Sequence, residues 1–151
     1  MSTTLRLATP SMQAGKGIGL CLLAFAFSTA AADTLFTGTF SGTGRACNGM
    51  LHVRSKTIEW NSSFSTCRRG AYEVLEKSLT GGRQRIAFRL EAHGGKCLYE
   101  VLSLEQVDGT DWTADGYPSL EAFRKKDLPD WRDSPLPERL VLECPMTRLR
   151  Y

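Results

Sequence analysis

The chain has 151 residues with 19 Lys and Arg, 16 Asp and Glu, and a formal net charge of +3. That length supports one domain with a core of modest size. So small a basic excess argues against a nucleic-acid binder, whose binding domain normally carries a strong one.

Residues 1–32 read as a cleaved signal peptide. Arg6 and Lys16 precede an uncharged run from Gly17 to Phe27, and Ala30-Ala31-Ala32 supplies the small-x-small pattern of a signal-peptidase site, with cleavage after Ala32. The run is too short to span a bilayer comfortably, so no transmembrane segment is expected after processing. Cys21 follows Leu20, where a lipoprotein site needs a small residue. Processing leaves residues 33–151 with 17 cations and 16 anions, a net charge of +1.

Four cysteines remain in that segment: Cys47, Cys67, Cys97 and Cys144. An even number behind a secretory leader reads as two disulfides in an oxidising compartment, periplasmic or secreted. Of the three connectivities, the reading favours a local Cys47–Cys67 and a Cys97–Cys144 that ties the last strand into the sheet. No CxxC pair or clustered histidines point to a metal, and no motif points to a cofactor.

In chain order, Thr34 to Thr43 predicts a first strand that bends at Gly38 and Gly42, followed by a turn from Gly44 to Gly49. Leu51 and Val53 are odd-numbered, whereas Ile58, Trp60 and Phe64 are even. That parity change predicts a hairpin with a four-residue loop, Arg54 to Thr57, in which Val53 meets Ile58, Leu51 meets Trp60 and His52 meets Glu59. Asn61-Ser62-Ser63 predicts a bulge and also matches a glycosylation sequon. Arg68-Arg69-Gly70 reads as a turn and residues 71–79 as a strand, its register open between Tyr72/Val74 and Leu75/Leu79 inward.

Arg83 to Leu104 carries the clearest alternation in the chain. A loop at Ala92–Gly95 pairs Leu90 with Cys97, Phe88 with Tyr99 and Ile86 with Val101, and sets Arg85 and Arg89 diagonal to Glu100. Asp108-Gly109-Thr110 predicts a turn. A short helix near 119–127 follows, with Ser119 as N-cap, Leu120, Phe123 and Leu128 toward the sheet, and Pro129 as its stop. Residues 129–137 form a Pro-punctuated loop carrying Trp131. Leu140, Leu142, Cys144 and Met146 then alternate as a last strand, with Pro145 at its end or on an edge. The sum is an all-β fold: one disulfide-stabilised domain over 33–151, an antiparallel meander closing into a small barrel of 6–8 strands. In architecture alone this resembles small secreted β-barrels such as lipocalin-type binders and periplasmic inhibitors of lysozyme, and no signature residue of either group is present.

The functional signals lie in loops and charge. Residues 33–90 hold nine cations against four anions, and 91–151 eight against twelve. Arg45, Arg54, Lys56, Arg68 and Arg69 form a basic patch that either meets an anionic surface, such as phosphorylated lipid or glycan, or neutralises the acidic half. Trp112, Tyr117 and Trp131, beside Asp130 and Asp133, either present a binding rim or plug one barrel end. The leading expectation is an exported, non-enzymatic binding or inhibitor-type domain recognising a protein or cell-envelope component. A lipocalin-like carrier is the alternative and requires Ile86, Phe88, Tyr99, Val101 and Leu142 to line a cavity. A small hydrolase would have to use His52 or His93 as its base, with no nucleophile elbow in the chain.

Overall fold

Alternation at period two builds the barrel wall strand by strand. The computed structural model describes residues 34–134 and 141–150, so the expected signal peptide and Leu140 lie outside the described residues. Strands β1 (Gly38–Gly42), β2 (Gly49–Val53), β3 (Thr57–Asn61) and β4 (Thr66–Ser78) are followed by β5 (Arg85–Leu90), β6 (Val101–Asp108), β7 (Asp111–Tyr117) and β8 (Leu142–Arg148). Helices α1 (Leu120–Lys125) and α2 (Pro129–Arg132) sit between β7 and β8. Every strand pairs antiparallel with its sequence neighbours, and β8 returns to β1, giving a closed eight-stranded barrel.

The β2–β3 hairpin has the register its parity change requires: Leu51↔Trp60, His52↔Glu59 and Val53↔Ile58. Its loop lacks a favourable two-residue turn sequence and is braced by β4, where the single Tyr72 hydroxyl proton is shared between the carbonyls of Arg54 (2.8 Å) and Ser55 (2.9 Å). Tyr72 is thus inward on β4. A bulge between Val74 and Glu76 lets Val74 join the interior while Leu75 packs on the outer wall.

Large side chains fill the barrel. Phe36, Phe40, Trp60, Phe88 and Trp112 are among its fully buried residues. Trp112 meets Phe40 edge-on with ring centroids 5.3 Å apart, and Phe88 meets Tyr72 likewise at 4.9 Å. A second cluster lies outside the wall, where Phe123 and Ala122 of α1 cover Ala87, Val101 and Tyr117. Ser119 caps α1 as expected, its side chain accepting from the Ala122 N–H at 3.1 Å. Leu128 is exposed instead of facing the sheet; α1 already ends at Lys125 with Lys126 as its C-cap, and Pro129 opens α2 instead of stopping α1.

Four expectations are corrected. The β5–β6 register is Ile86↔Leu104, Phe88↔Leu102 and Arg89↔Val101, three residues from the predicted pairing. The reason is that α1 covers the outer face of β6, so Val101 is buried there while Leu102 and Leu104 point inward, and both faces read as apolar. Residues 91–100 then form a long connection across the barrel end with a single Gly94↔Cys97 bridge. The Arg89–Glu100 ion pair persists at 2.9 Å, whereas Arg85 pairs with Glu76 at 3.0 Å.

Arg68-Arg69-Gly70 is not a turn but part of β4, where Gly70 pairs with Ile58. The disulfides are Cys47–Cys144 and Cys67–Cys97, not the favoured pairing. The β1–β2 loop lies over β8 because the barrel closes there, and Cys67 at the start of β4 lies under the β5–β6 connection. Pro145 lies within β8, opposite Thr113. Its carbonyl accepts from the Thr43 N–H at 3.4 Å, so its nitrogen faces the β1 side, where the ladder has already ended at Gly42↔Met146.

Candidate functional site

An up-and-down meander gathers alternate loops at one end. Here that end carries the β1–β2 loop, the β3–β4 loop, the β5–β6 connection and the helical β7–β8 connection. Two of the aromatics expected at its rim are not available to a partner. Trp112 is on strand β7, 2% exposed, with its ring against Phe36 and Phe40 inside the barrel. Tyr117 is also on β7, buried beneath α1 with its ring 5.2 Å from that of Phe123. Burial and the nearby Asp115 carboxylate push its hydroxyl above the ordinary tyrosine range. Trp131 is half-buried on α2 against the second cluster, flanked by exposed Asp130 and Asp133. With Lys125, Leu128 and Ser134, Trp131 and Asp130 border an open depression of about 520 Å³.

The aromatic that does cover the loop end from within is Tyr99. Its ring lies 5.3 Å from that of Trp60 and flat over Gly116, so close that a Cβ on Gly116 would fall 2.7 Å from the ring. Gly116 therefore occupies a strand position because only hydrogen leaves room for Tyr99.

The most exposed part of this end is an edge built by β3, β4 and the β5–β6 connection. The Cys67–Cys97 bridge, the Thr66 N–H to Lys96 carbonyl bond at 2.8 Å and the Leu98 N–H to Ser65 Oγ bond at 3.0 Å hold the two segments together. Phe64 and Leu98 project from the edge, 66% and 53% exposed. Beside them runs a groove of about 400 Å³ lined by Arg68, Arg69, His93, Lys96 and the Gly94-Gly95 backbone. No carboxylate lines it. Both glycines have positive φ, 107° and 62°, which lets the connection turn tightly along the groove.

The sequence patch of five cations is divided by this geometry. Arg54 and Arg69 converge on Glu59 at 3.7 and 3.5 Å. Lys56 lies on the β2–β3 loop at the opposite end, and Arg45 is exposed on the β1–β2 loop. Only Arg68 and Arg69 reach the groove, where they meet Lys96 and His93, neither of which belongs to that patch. Parity places Phe64 with the inward series of Ile58 and Trp60, but β3 ends at Asn61 and the loop turns Phe64 outward. Its even number conceals it; the Ser62-Ser63 interruption is the available signal.

Among the described residues, neither histidine is hydrogen-bonded to a carboxylate. His52 Nδ1 lies 3.0 Å from Thr39 Oγ1, while Glu59, opposite it in register, is engaged by the two arginines and by Asn61 Nδ2 at 3.5 Å. His93 Nδ1 donates to the Leu90 carbonyl at 3.1 Å, which leaves Nε2 toward solvent. One acid is distinctive: Asp115, on the outer wall of β7, accepts from Ser103 Oγ at 3.0 Å through Oδ2, and its Oδ1 is buried without a partner. Burial pushes its carboxyl up to about 6, with Glu143 and Glu105 adding and Ser103 and Arg85 opposing.

Comparison of the chain with protein-family models, with curated proteins and with solved structures finds no match.

Proposed function

We propose that the protein is an exported, non-enzymatic binding domain that recognises a protein or cell-envelope component through the loop end of its barrel. The contact surface is the disulfide-braced edge bearing Phe64 and Leu98, with Trp131 on the neighbouring α2, in place of Trp112 and Tyr117. The observation that carries the reading is the exposure of two large apolar side chains on an edge immobilised by a disulfide. Rigid loops lose little entropy on binding, and apolar groups so placed supply contact area. An interior filled by Trp60, Trp112 and Phe88 speaks against a ligand carrier, and Val101, one of the residues that would line its cavity, points to α1 instead. Two disulfides suit an oxidising compartment and support export.

Photo-crosslinking tests the surface. A benzophenone side chain at position 64 or 98 is expected to yield adducts in the intact envelope of the producing cell. The same group at Val107, 62% exposed at the opposite end, should yield none. Equal adduct formation from both ends, or none from 64 and 98, refutes the assignment.

A further inference from the structure

We infer that the edge docks on an anionic membrane surface: lipid phosphates enter the basic groove while Phe64 and Leu98 insert at the acyl boundary. This rests on the binding edge proposed above and names its ligand.

Charge and shape carry it together. Arg68, Arg69, Lys96 and His93 converge on one open groove whose lining contains no Asp or Glu, within a segment, 33–151, whose net charge is only +1. The attraction is therefore local to this groove. Among the described residues, no carboxylate pairs with Arg68 or Lys96, and Arg69 shares Glu59 with Arg54 at the groove's margin. His93 spends Nδ1–H on the Leu90 carbonyl and presents Nε2 outward, where it donates only when the ring is protonated. Guanidinium and ammonium groups are the natural partners of phosphate oxygens.

The apolar half has the form of an interfacial wedge. Phe64 and Leu98 lie on adjoining segments, joined where the Leu98 N–H bonds to Ser65 Oγ at 3.0 Å, and both side chains are exposed. Two projecting side chains beside cations are a small contact for a protein partner, which typically needs about 800 Å² per side with a packed aromatic centre. They match a bilayer, where cations engage the headgroups and apolar tips reach the acyl chains. The Cys67–Cys97 bridge fixes wedge and groove at one spacing.

Vesicle flotation of the exported protein, purified from an oxidising host, tests this with phosphatidylcholine alone and with added phosphatidylglycerol. Binding is expected only to the anionic vesicles, and is expected to fall at high salt. Arg68→Gln and Lys96→Gln should each weaken it by about fivefold, the expected contribution of one charge near an anionic surface. Phe64→Ser with Leu98→Ser should remove the binding that survives high salt, and Lys56→Gln at the far end should change nothing. These side chains are exposed, so the variants keep the fold, as far-UV circular dichroism checks. Equal binding to neutral vesicles, no binding, or an effect of Lys56→Gln as large as that of Lys96→Gln overturns the inference. Displacement by inorganic phosphate would assign the groove to free phosphate and overturn the membrane source. Crosslinks from position 64 to a protein, without vesicle binding, would overturn it and leave the edge itself standing as a binding surface.

Discussion

Replacing Asp115 by asparagine gives the sharpest quantitative test of the barrel's outer wall. The folded carboxyl titrates at about 6 against an ordinary 3.8, chiefly because it is buried, with Glu143 and Glu105 adding to the shift. A carboxyl raised in this way holds its proton more tightly folded than unfolded. Its favourable contribution is present at acid pH and is lost as pH climbs from 3.8 through about 6. At about 1.36 kcal/mol per pH unit, the interval corresponds to about 3 kcal/mol between pH 4 and neutrality. The substituted side chain has nothing to ionise, and its amide oxygen can still accept from Ser103 Oγ. The Asp115→Asn variant should therefore match the parent near pH 4, within about 0.5 kcal/mol. Near pH 7.5 it should exceed the parent by about 2–3 kcal/mol. Urea unfolding of both proteins across that pH range reads the difference directly, and the opposite slopes contributed by other carboxylates cancel in it. A stability difference that does not vary with pH, or a variant less stable than the parent at neutrality, would refute the burial of a carboxylate with one unsatisfied oxygen on the outer wall of β7.

Two further predictions concern packing and covalent closure. Gly116→Ala drives a methyl into the Tyr99 ring and should cost about 1–3 kcal/mol, read as a lower Tm with a changed near-UV spectrum from the Trp60–Tyr99 pair; an unchanged Tm would show the ring to be free to move. Replacing both members of Cys47–Cys144, 97 residues apart, should destabilise more than replacing Cys67 and Cys97, 30 apart. Loop entropy gives about 4.7 against about 3.6 kcal/mol. A non-reducing peptide map that recovers a Cys47–Cys67 fragment pair would contradict the topology outright.

What is legible in the sequence is local. The β2–β3 register follows from parity alone, because each strand buries one face and the loop between them must change parity. Ser119 marks its helix because a β-conformation hydroxyl residue before Leu-Glu-Ala-Phe has few other uses. What fails depends on contacts distant in sequence. Strand β6 is buried on both faces because a helix some twenty residues onward returns to cover it, so alternation there points to the wrong register. Strand β7 reads as irregular because Asp115 and Gly116 break any strand pattern; the first is held on the outer wall by Ser103 and the second makes room for a ring from the β5–β6 connection. Of the candidate site, Arg68, Arg69 and Trp131 stand out from sequence alone. Phe64, His93, Lys96 and Leu98 do not stand out as a binding surface, since their two segments, about thirty residues apart, meet only in the folded barrel, through Cys67–Cys97 and the Thr66–Lys96 and Ser65–Leu98 hydrogen bonds.

The seam between β1 and β8 spans only Phe40↔Arg148, Ser41↔Thr147 and Gly42↔Met146. A chain emerging from its N-terminus consequently carries a first strand paired on one edge only until almost its last residues arrive. Throughout that interval Cys47 has no native mate, whereas Cys67, twenty positions on, is already within reach. The bond suggested by proximity along the chain is thus the trap that maturation must avoid. Capture of Cys67 by Cys97 before the C-terminus arrives would take away the competitor and leave Cys47 for the thiol that locks the cylinder shut.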